Sequence, residues 1–189
     1  VSLIAVAIGI LIGFLIALCN LSNKKLLRAL GGIYTDIIRG TPSVTQLMLI
    51  YFVIFAAVGI PKWIIAGIAF GVNSGAYVSE IIRAGILSVD KGQTEAGRSL
   101  GLNGQQTMIH IVIPQAVKNI FPALCNEFIV LIKETAIVGY VGLMDIQKAG
   151  DFIKSATWNA FMPLFGTAVI YYVLIKLLTI AFKKVEERL

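Results

Sequence analysis

Five long apolar runs, separated by shorter polar segments, constrain the fold of this chain more than any other feature. They cover residues 3–18, 44–60, 63–82, 120–143 and 161–182. A helix needs about 20 mostly apolar residues to cross a bilayer, and a backbone in lipid must satisfy its hydrogen bonds internally. The runs therefore predict an all-α, polytopic membrane protein with five transmembrane helices, built as one domain over 1–189.

Composition supports a lipid environment. The chain is 58% hydrophobic and only 14% charged, whereas soluble domains carry about 25% charged residues. We interpret the net charge of +6 as loop charge that orients helices, not as a nucleic-acid surface. Cys19 and Cys125 lie in apolar runs and are expected to be small buried hydrophobes. The first run starts at once from Val1, which argues against a cleavable signal peptide and for a missing N-terminal segment.

The distribution of basic residues predicts the topology. If the loop between runs three and four is cytoplasmic, the inner side carries 11 Lys and Arg residues, Arg188 among them, and the outer side carries 3. Basic loops stay inside, so the N-terminus is expected outside and the C-terminus inside. Residues 21–41 alternate basic and leucine residues and are expected to lie along the membrane interface, up to a break at Gly40-Thr41-Pro42.

The segment Ser88–Pro114 carries two helix-start signals. Asp90 with Gln93, and Asn103 with Gln106, have the spacing of capping boxes; Gly101 is a natural helix terminator between them. We expect a short polar helix, then a second helix that runs to Pro114. An ordinary solvated loop and a docking element for a cytoplasmic partner are both compatible with this spacing.

Residues in this loop resemble the cytoplasmic loop motif of ABC importer permeases. Glu95-Ala96-Gly97, then Gly101, then Ile111, Ile113 and Pro114 follow the family pattern Glu-Ala-Ala, Gly, Ile-x-Leu-Pro with the same spacing. The resemblance implies a type I permease architecture whose coupling helix enters a cleft of an ATPase subunit. The coupling residues are then expected to be Glu95, Ala96 and Gly101, with Asp90 and Arg98 on the same helix.

Further motifs resemble the branch of this family that imports polar amino acids such as histidine and glutamine. They are Arg39-Gly40-Thr41-Pro42 with Gln46, Asn73-Ser74-Gly75-Ala76-Tyr77 with Glu80, and Lys133-Glu134-Thr135-Ala136. The resemblance implies a bacterial inner-membrane location, an ABC ATPase dimer, a second permease chain (a homodimer is expected), an extracytoplasmic amino-acid-binding protein and surrounding lipid. No phosphate-binding G-x-x-x-x-G-K-[ST] motif occurs, so ATP and magnesium are expected on the partner ATPase, with no cofactor or metal on this chain.

Polar residues inside the apolar runs are candidate substrate contacts, because ionisable groups in a bilayer cost roughly 2.5–3.5 kcal/mol on insertion scales. Asn73 and Tyr77 share a face of run three. Asn126, Glu127 and Glu134 lie on run four. A carboxylate at Glu127 predicts a basic amino acid as substrate.

Structural roles remain open at these positions. Glu127 has an alternative as a partner of a neighbouring helix, and Glu80 with Arg83, three residues apart, has the spacing of an ion pair. Glycine stripes on runs one and three predict close helix packing. Three other functions also stay open: a permease for another small solute, an ATP-independent secondary transporter or channel, and a membrane scaffold.

Overall fold

The structure is a computed structural model that describes residues 1–187, and this part of the chain contains helices and no strand. Arg188, assigned above to the inner side, lies outside the described residues. The helices are α1 (Ser2–Leu21), α2 (Lys25–Arg39), α3 (Ser43–Leu49), α4 (Lys62–Leu87), α5 (Lys91–Ser99), α6 (Gly104–Thr107), α7 (Ile113–Glu134), α8 (Ile146–Thr157) and α9 (Phe161–Glu186). The predicted all-α fold is confirmed.

Two wide π-helical turns and one 3₁₀ segment complete the architecture. Ile50–Ile54 extends α3, Met108–Val112 joins α6 to α7, and Thr135–Val141 follows α7 as a 3₁₀ helix. Among residues 1–187, three helices are long and apolar enough to cross a membrane: α1, α4 and α9. The pair α2 and α3, bent by 103°, makes a fourth if it counts as one span. The count of five spans therefore stays a prediction.

The helix ends in the second and fourth apolar runs differ from the expectation. The second run is helical only to Ile54, because the chain turns between Phe55 and Pro61, where glycine and proline break the helix. In the fourth run, α7 ends at Glu134 and the chain tightens into the 3₁₀ segment before Gly142, whose φ of 74° only glycine adopts readily.

The expectation that the second loop helix ends at Pro114 is also wrong. The helix continues without a break from Gly104 through Pro114 to Glu134. The N–H of Ile113 donates to the carbonyl of Met108, five residues back. Pro114 lies in the first turn of α7, directly after this widened turn, where its missing N–H and its ring are tolerated.

The two glycine stripes pack α1 against α4, as predicted. Three isoleucines of α1 lie over three glycines of α4: Ile4 over Gly67, Ile8 over Gly71 and Ile12 over Gly75. In return, Ser74 and Val78 of α4 lie over Gly9 and Gly13. Small residues let the two backbones approach closely, which is how helices associate in lipid.

A buried apolar cluster joins α1, α3, α4, α7 and the 3₁₀ segment. Its members are Ala5, Leu47, Ala66, Ala69, Phe70, Leu131, Val138 and Val141. The last helix, α9, packs on α7 and α8 and is otherwise exposed. The core of the chain therefore lies around α4, and most candidate polar residues lie on α4 or on helices that contact it.

Candidate functional site

The loop helix α5 has defined ends. The Asp90 carboxylate accepts a hydrogen bond from the N–H of Gly92 at 2.6 Å. At the other end, Gly101 has a φ of 86°. Its N–H donates to the carbonyl of Arg98, and the N–H of Leu102 donates to the carbonyl of Gly97. This pair of bonds is a Schellman motif, so the prediction that Gly101 terminates the helix is confirmed.

Only one of the two predicted capping boxes is complete. The Asn103 side chain accepts from the Gln106 N–H, and the Gln106 side chain accepts from the Asn103 N–H, both at 2.9 Å. At the first position the box is wrong: the Gln93 side chain does not bond back to the Asp90 N–H, and its oxygen accepts from Gln115 at 3.2 Å instead. That bond instead ties α5 to the start of α7.

Helix α5 packs through Gly97 against the second half of the loop, residues 104–112. A Cβ at this position would lie 2.7 Å from Ile111 Cδ1 and 2.9 Å from Thr107 Cγ2, so the helices touch here. The Asn119 side chain also donates to the Ser88 hydroxyl at 2.8 Å. These contacts join the docking loop, defined here as 88–114, to α4 and α7.

The outward face of α5 is left free. Glu95, Ala96 and Arg98 are exposed, and Leu100 at the tip is 81% exposed. Within residues 1–187, neither Glu95 nor Arg98 takes part in an ion pair. A short, well-capped helix that presents exposed charged and apolar side chains has the geometry of a docking element.

The predicted substrate residues do not all face one space. Glu127 is half-buried and accepts a hydrogen bond from the Ser74 hydroxyl at 2.8 Å. It lines a narrow cleft of about 30 Å³ whose other walls, apart from Ser74, are apolar residues of α1, α4 and α7. Asn126 is exposed, and Glu134 is half-buried at the end of α7.

Asn73 and Tyr77 face a different neighbour, the corner between α2 and α3. The Asn73 amide donates to the Gln46 side chain at 2.9 Å. The guanidinium carbon of Arg39 lies 5.4 Å from the centre of the Tyr77 ring, within the range of a cation–π contact. The structure therefore brings Asn73 and Tyr77 together and separates them from Glu127.

A polar crevice lies beside this corner and was missed in the sequence analysis. It has a volume of about 450 Å³ and is lined by Gly32, Thr35, Asp36, Arg39, Gly40 and Glu80. Glu80 also pairs with Arg83 at 2.8 Å, which confirms the predicted ion pair. Asp36 and Arg39 are three residues apart on α2, a spacing that puts opposite charges on one face and would have given a signal.

The segment between α7 and α9 carries its own charged groups. Asp145 caps α8 by accepting from the Lys148 N–H at 2.7 Å. Lys154 donates to Asp151 at 2.8 Å, and this hydrogen bond lowers the pKa of the Asp151 carboxyl. Among residues 1–187, no group of three His, Cys, Asp or Glu side chains could hold a metal ion.

Comparison with known proteins defines the class to which this fold and docking loop belong. Residues 9–189 match the family described as binding-protein-dependent transport system inner membrane component. The chain belongs to this family and is a permease subunit of an ABC transporter.

Individual relatives are similar along nearly the whole chain. The chain is 45% identical to the GlnP protein of Rickettsia bellii, named for glutamine transport, over 190 aligned positions that cover 100% of this chain and 87% of the relative. It is 43% identical to the arginine transport permease ArtQ of Bacillus subtilis, covering 98% and 86% of the two chains.

Solved structures agree with this fold. The crystal structure of an amino acid ABC transporter with histidines has a TM-score of 0.91 and 44% identity, covering 100% of this chain and 88% of that one. The inward-facing methionine transporter MetNI has a TM-score of 0.77 at 20% identity, covering 99% and 88%, and shows the fold alone.

The family confirms several predictions. The type I permease architecture and the inner-membrane location are confirmed, and the chain is a transport component that does not itself carry out a covalent reaction. Membership implies that an ATPase and a binding protein are its partners.

Proposed function

We propose that this chain is the permease subunit of an importer that moves a polar amino acid into the cell, with ATP hydrolysed by a separate subunit. The observation that carries this proposal is the exposed face of α5 on a capped loop joined to α4 and α7. Relatives named for glutamine and arginine transport support an amino acid as the substrate. In this proposal, ATP and magnesium bind the ATPase and no cofactor binds this chain.

The arrangement in the membrane follows from the distribution of basic residues. The docking loop and the C-terminus face the cytosol, and the N-terminus faces outward. The 1–189 region acts as one permease domain, in a homodimer above an ATPase dimer. An extracytoplasmic binding protein delivers the amino acid to the outer side, and the open face of α9 contacts lipid.

Transport requires that nucleotide state and helix arrangement be coupled. When the ATPase dimer closes on ATP, it moves α5, and α5 carries α7 through the Gly97 packing and the Gln93–Gln115 bond. The Asn119–Ser88 bond joins α7 in turn to the end of α4. The ATPase and the substrate then shift the same equilibrium between two conformations of the permease. The free energy that links the two binding events is an allosteric coupling.

The polar crevice is the space best suited to an amino acid. The Arg39 guanidinium suits the substrate's α-carboxylate, since Arg matches carboxylate geometry. Asp36 and Glu80 suit its ammonium or a cationic side chain. A volume of about 450 Å³ is ample for one amino acid, and Tyr77 lies alongside under Arg39.

Glu127, Asn126 and Glu134 remain proposed contacts for a basic substrate. The Ser74 bond and the narrow apolar cleft favour the other interpretation of Glu127, a partner that holds α7 against α4. Both interpretations keep Glu127 important, and they differ in whether its charge matters to a cationic substrate.

One reconstitution tests the proposed function. The complete complex, with ATPase and binding protein, is placed in liposomes and assayed with labelled arginine, labelled glutamine and a non-amino-acid solute such as maltose. We expect ATP-dependent uptake of at least one amino acid and none of maltose. Uptake that survives an inactive ATPase would instead indicate a secondary transporter, and uptake of maltose alone would indicate a permease for another solute.

A further inference from the structure

The corner between α2 and α3 contains a carbonyl that its own helix cannot satisfy. In a continuous helix, the N–H of residue 42 would bond to the carbonyl of Ile38, but Pro42 has no N–H. The side-chain amide of Gln46 supplies the donor instead, at 2.7 Å from the Ile38 oxygen. The same nitrogen lies 2.6 Å from the Thr41 hydroxyl, which itself donates to Ile37 at 2.8 Å.

The other end of the Gln46 side chain joins this corner to α4. Its oxygen accepts from the Asn73 amide at 2.9 Å, and both residues are buried, at 8% and 3% exposure. The nitrogen of Gln46 faces the carbonyl oxygens of Ile38 and Thr41 and the Thr41 hydroxyl, so its oxygen faces Asn73; the opposite orientation would place the Gln46 oxygen against two carbonyl oxygens that can only accept. A buried amide pair with this many partners is costly to disrupt.

The amide pair of Gln46 and Asn73 lies beside the polar crevice. Tyr77 is one helical turn after Asn73 on the same face of α4, and the Arg39 guanidinium lies over its ring. The corner is thus attached to α4 at Asn73 and at Tyr77. Asp36 and Arg39 at the end of α2 face Glu80 of α4 across the crevice, so the attachment sets the separation of its charged walls.

We infer that Gln46 and Asn73 are positioning residues for amino-acid binding: their amide pair fixes the α2–α3 corner against α4 and so sets the charged walls of the crevice. The inference rests on the proposed function and deepens it. It assigns Asn73, a predicted substrate contact, a role exerted through Asp36 and Arg39. Neither amide needs to touch the substrate.

The test measures direct binding of labelled arginine and labelled glutamine to the purified permease–ATPase complex by equilibrium dialysis. Gln46→Met keeps the length of the side chain and removes both polar ends. Gln46→Glu keeps an acceptor for Asn73 but removes the donor for Ile38. Asn73→Ala removes the hydrogen bond that attaches Gln46 to α4 and leaves the contact at Tyr77. Thr45→Val, at an exposed neighbour on α3, is the control.

We expect Gln46→Met, Gln46→Glu and Asn73→Ala each to raise the Kd by about tenfold, the effect of losing one to two net hydrogen bonds. The yield of complex should match wild type, and Thr45→Val should leave the Kd unchanged. The double variant Gln46→Met with Asn73→Ala should bind no more weakly than Gln46→Met, because the two residues act as one unit.

An unchanged Kd in assembled Gln46→Met overturns the inference, as does a loss of complex yield that accounts for the whole loss of binding. If the Gln46 variants fail to assemble, Asn73→Ala decides the outcome alone. A wild-type complex that transports an amino acid but binds neither labelled one also overturns the inference and leaves the proposed function standing. Failure of uptake itself overturns the proposed function.

Discussion

At the scale of single residues, backbone geometry decides more of the docking loop than side-chain chemistry does. Gly101 ends α5 with a positive φ, and both Schellman hydrogen bonds depend on that conformation. Gly97 allows α5 to touch Thr107 and Ile111. The exposed face of Glu95 and Ala96 is therefore held at a fixed angle by two glycines.

Gly101→Pro should detach the ATPase. Proline fixes φ near −65°, whereas Gly101 has φ of 86°, so α5 cannot end in the same place. We expect the affinity for the ATPase to fall by about tenfold or more, as for loss of an interface hot spot, and stimulation of ATPase activity to disappear. Glu95→Lys should have the same effect through charge reversal on the exposed face.

Co-purification of the ATPase with the permease measures this effect. Gly104→Ala is the matched control, since a Cβ there would meet only a guanidinium nitrogen of Arg98, at 3.9 Å. Equal co-purification and equal ATPase stimulation in Gly101→Pro and wild type would contradict the proposed docking role of this loop.

Glu127→Gln separates the two roles of that residue. Glutamine keeps an acceptor for the Ser74 hydroxyl and removes the negative charge. If Glu127 contacts a cationic substrate, uptake of arginine should weaken by about tenfold, the effect of one charged hydrogen bond, while assembly stays intact. Ser74→Ala, which removes the bond and keeps the charge, is the comparison; unchanged arginine uptake in Glu127→Gln would leave only the structural role.

At the scale of elements, the α1–α4 contact holds the bundle together. A Cβ on Gly71 would lie 2.6 Å from Ile8, so Gly71→Val should force the helices apart and cost about 1–3 kcal/mol. We expect a lower melting temperature in detergent. Gly166→Val on α9, where nothing lies within 4 Å of the added Cβ, should have the melting temperature of wild type. Equal melting temperatures for the two variants would mean that the α1–α4 contact does not determine the stability of the bundle.

The elements differ in how far the sequence predicted them. Helices α1, α4 and α9 follow from the length of their apolar runs, because lipid leaves a long apolar segment little choice but a helix. The continuation through Pro114 was missed, since a widened turn that tolerates proline leaves no mark in residue type. The reach of Gln46 to Asn73 was missed for another reason: it depends on a 103° bend that apolar patterns do not encode.

The candidate site divides in the same way. Residues of the docking loop were predicted because capping and termination are local, and Asp90, Asn103 and Gly101 act within a few residues of themselves. The crevice was not predicted, because Asp36 and Glu80 lie on different helices and come together only through tertiary packing. Asn73 and Tyr77 were correctly predicted to share one face of α4, but the residues of other helices that contact them could not be predicted from that spacing.

At the scale of the whole molecule, the proposed orientation places the docking loop inside the cell and α8 outside. We expect Glu95→Cys, made after both native cysteines are replaced, to react with an impermeant maleimide only once the membrane is opened. Lys154→Cys on α8 should react in intact spheroplasts. Labelling of Glu95→Cys from outside would reverse the topology and remove the ATPase from any contact with α5.

The unbroken helix from Gly104 to Glu134 gives the molecule a lever arm. At 1.5 Å per residue it is about 45 Å long, comparable to the full thickness of a bilayer. Pivoting such a rod by about five degrees displaces its far tip by roughly 4 Å. In the proposed function, a small rotation driven by the ATPase at the docking loop is therefore enlarged at the Glu134 end of the helix, because displacement grows with distance from the pivot.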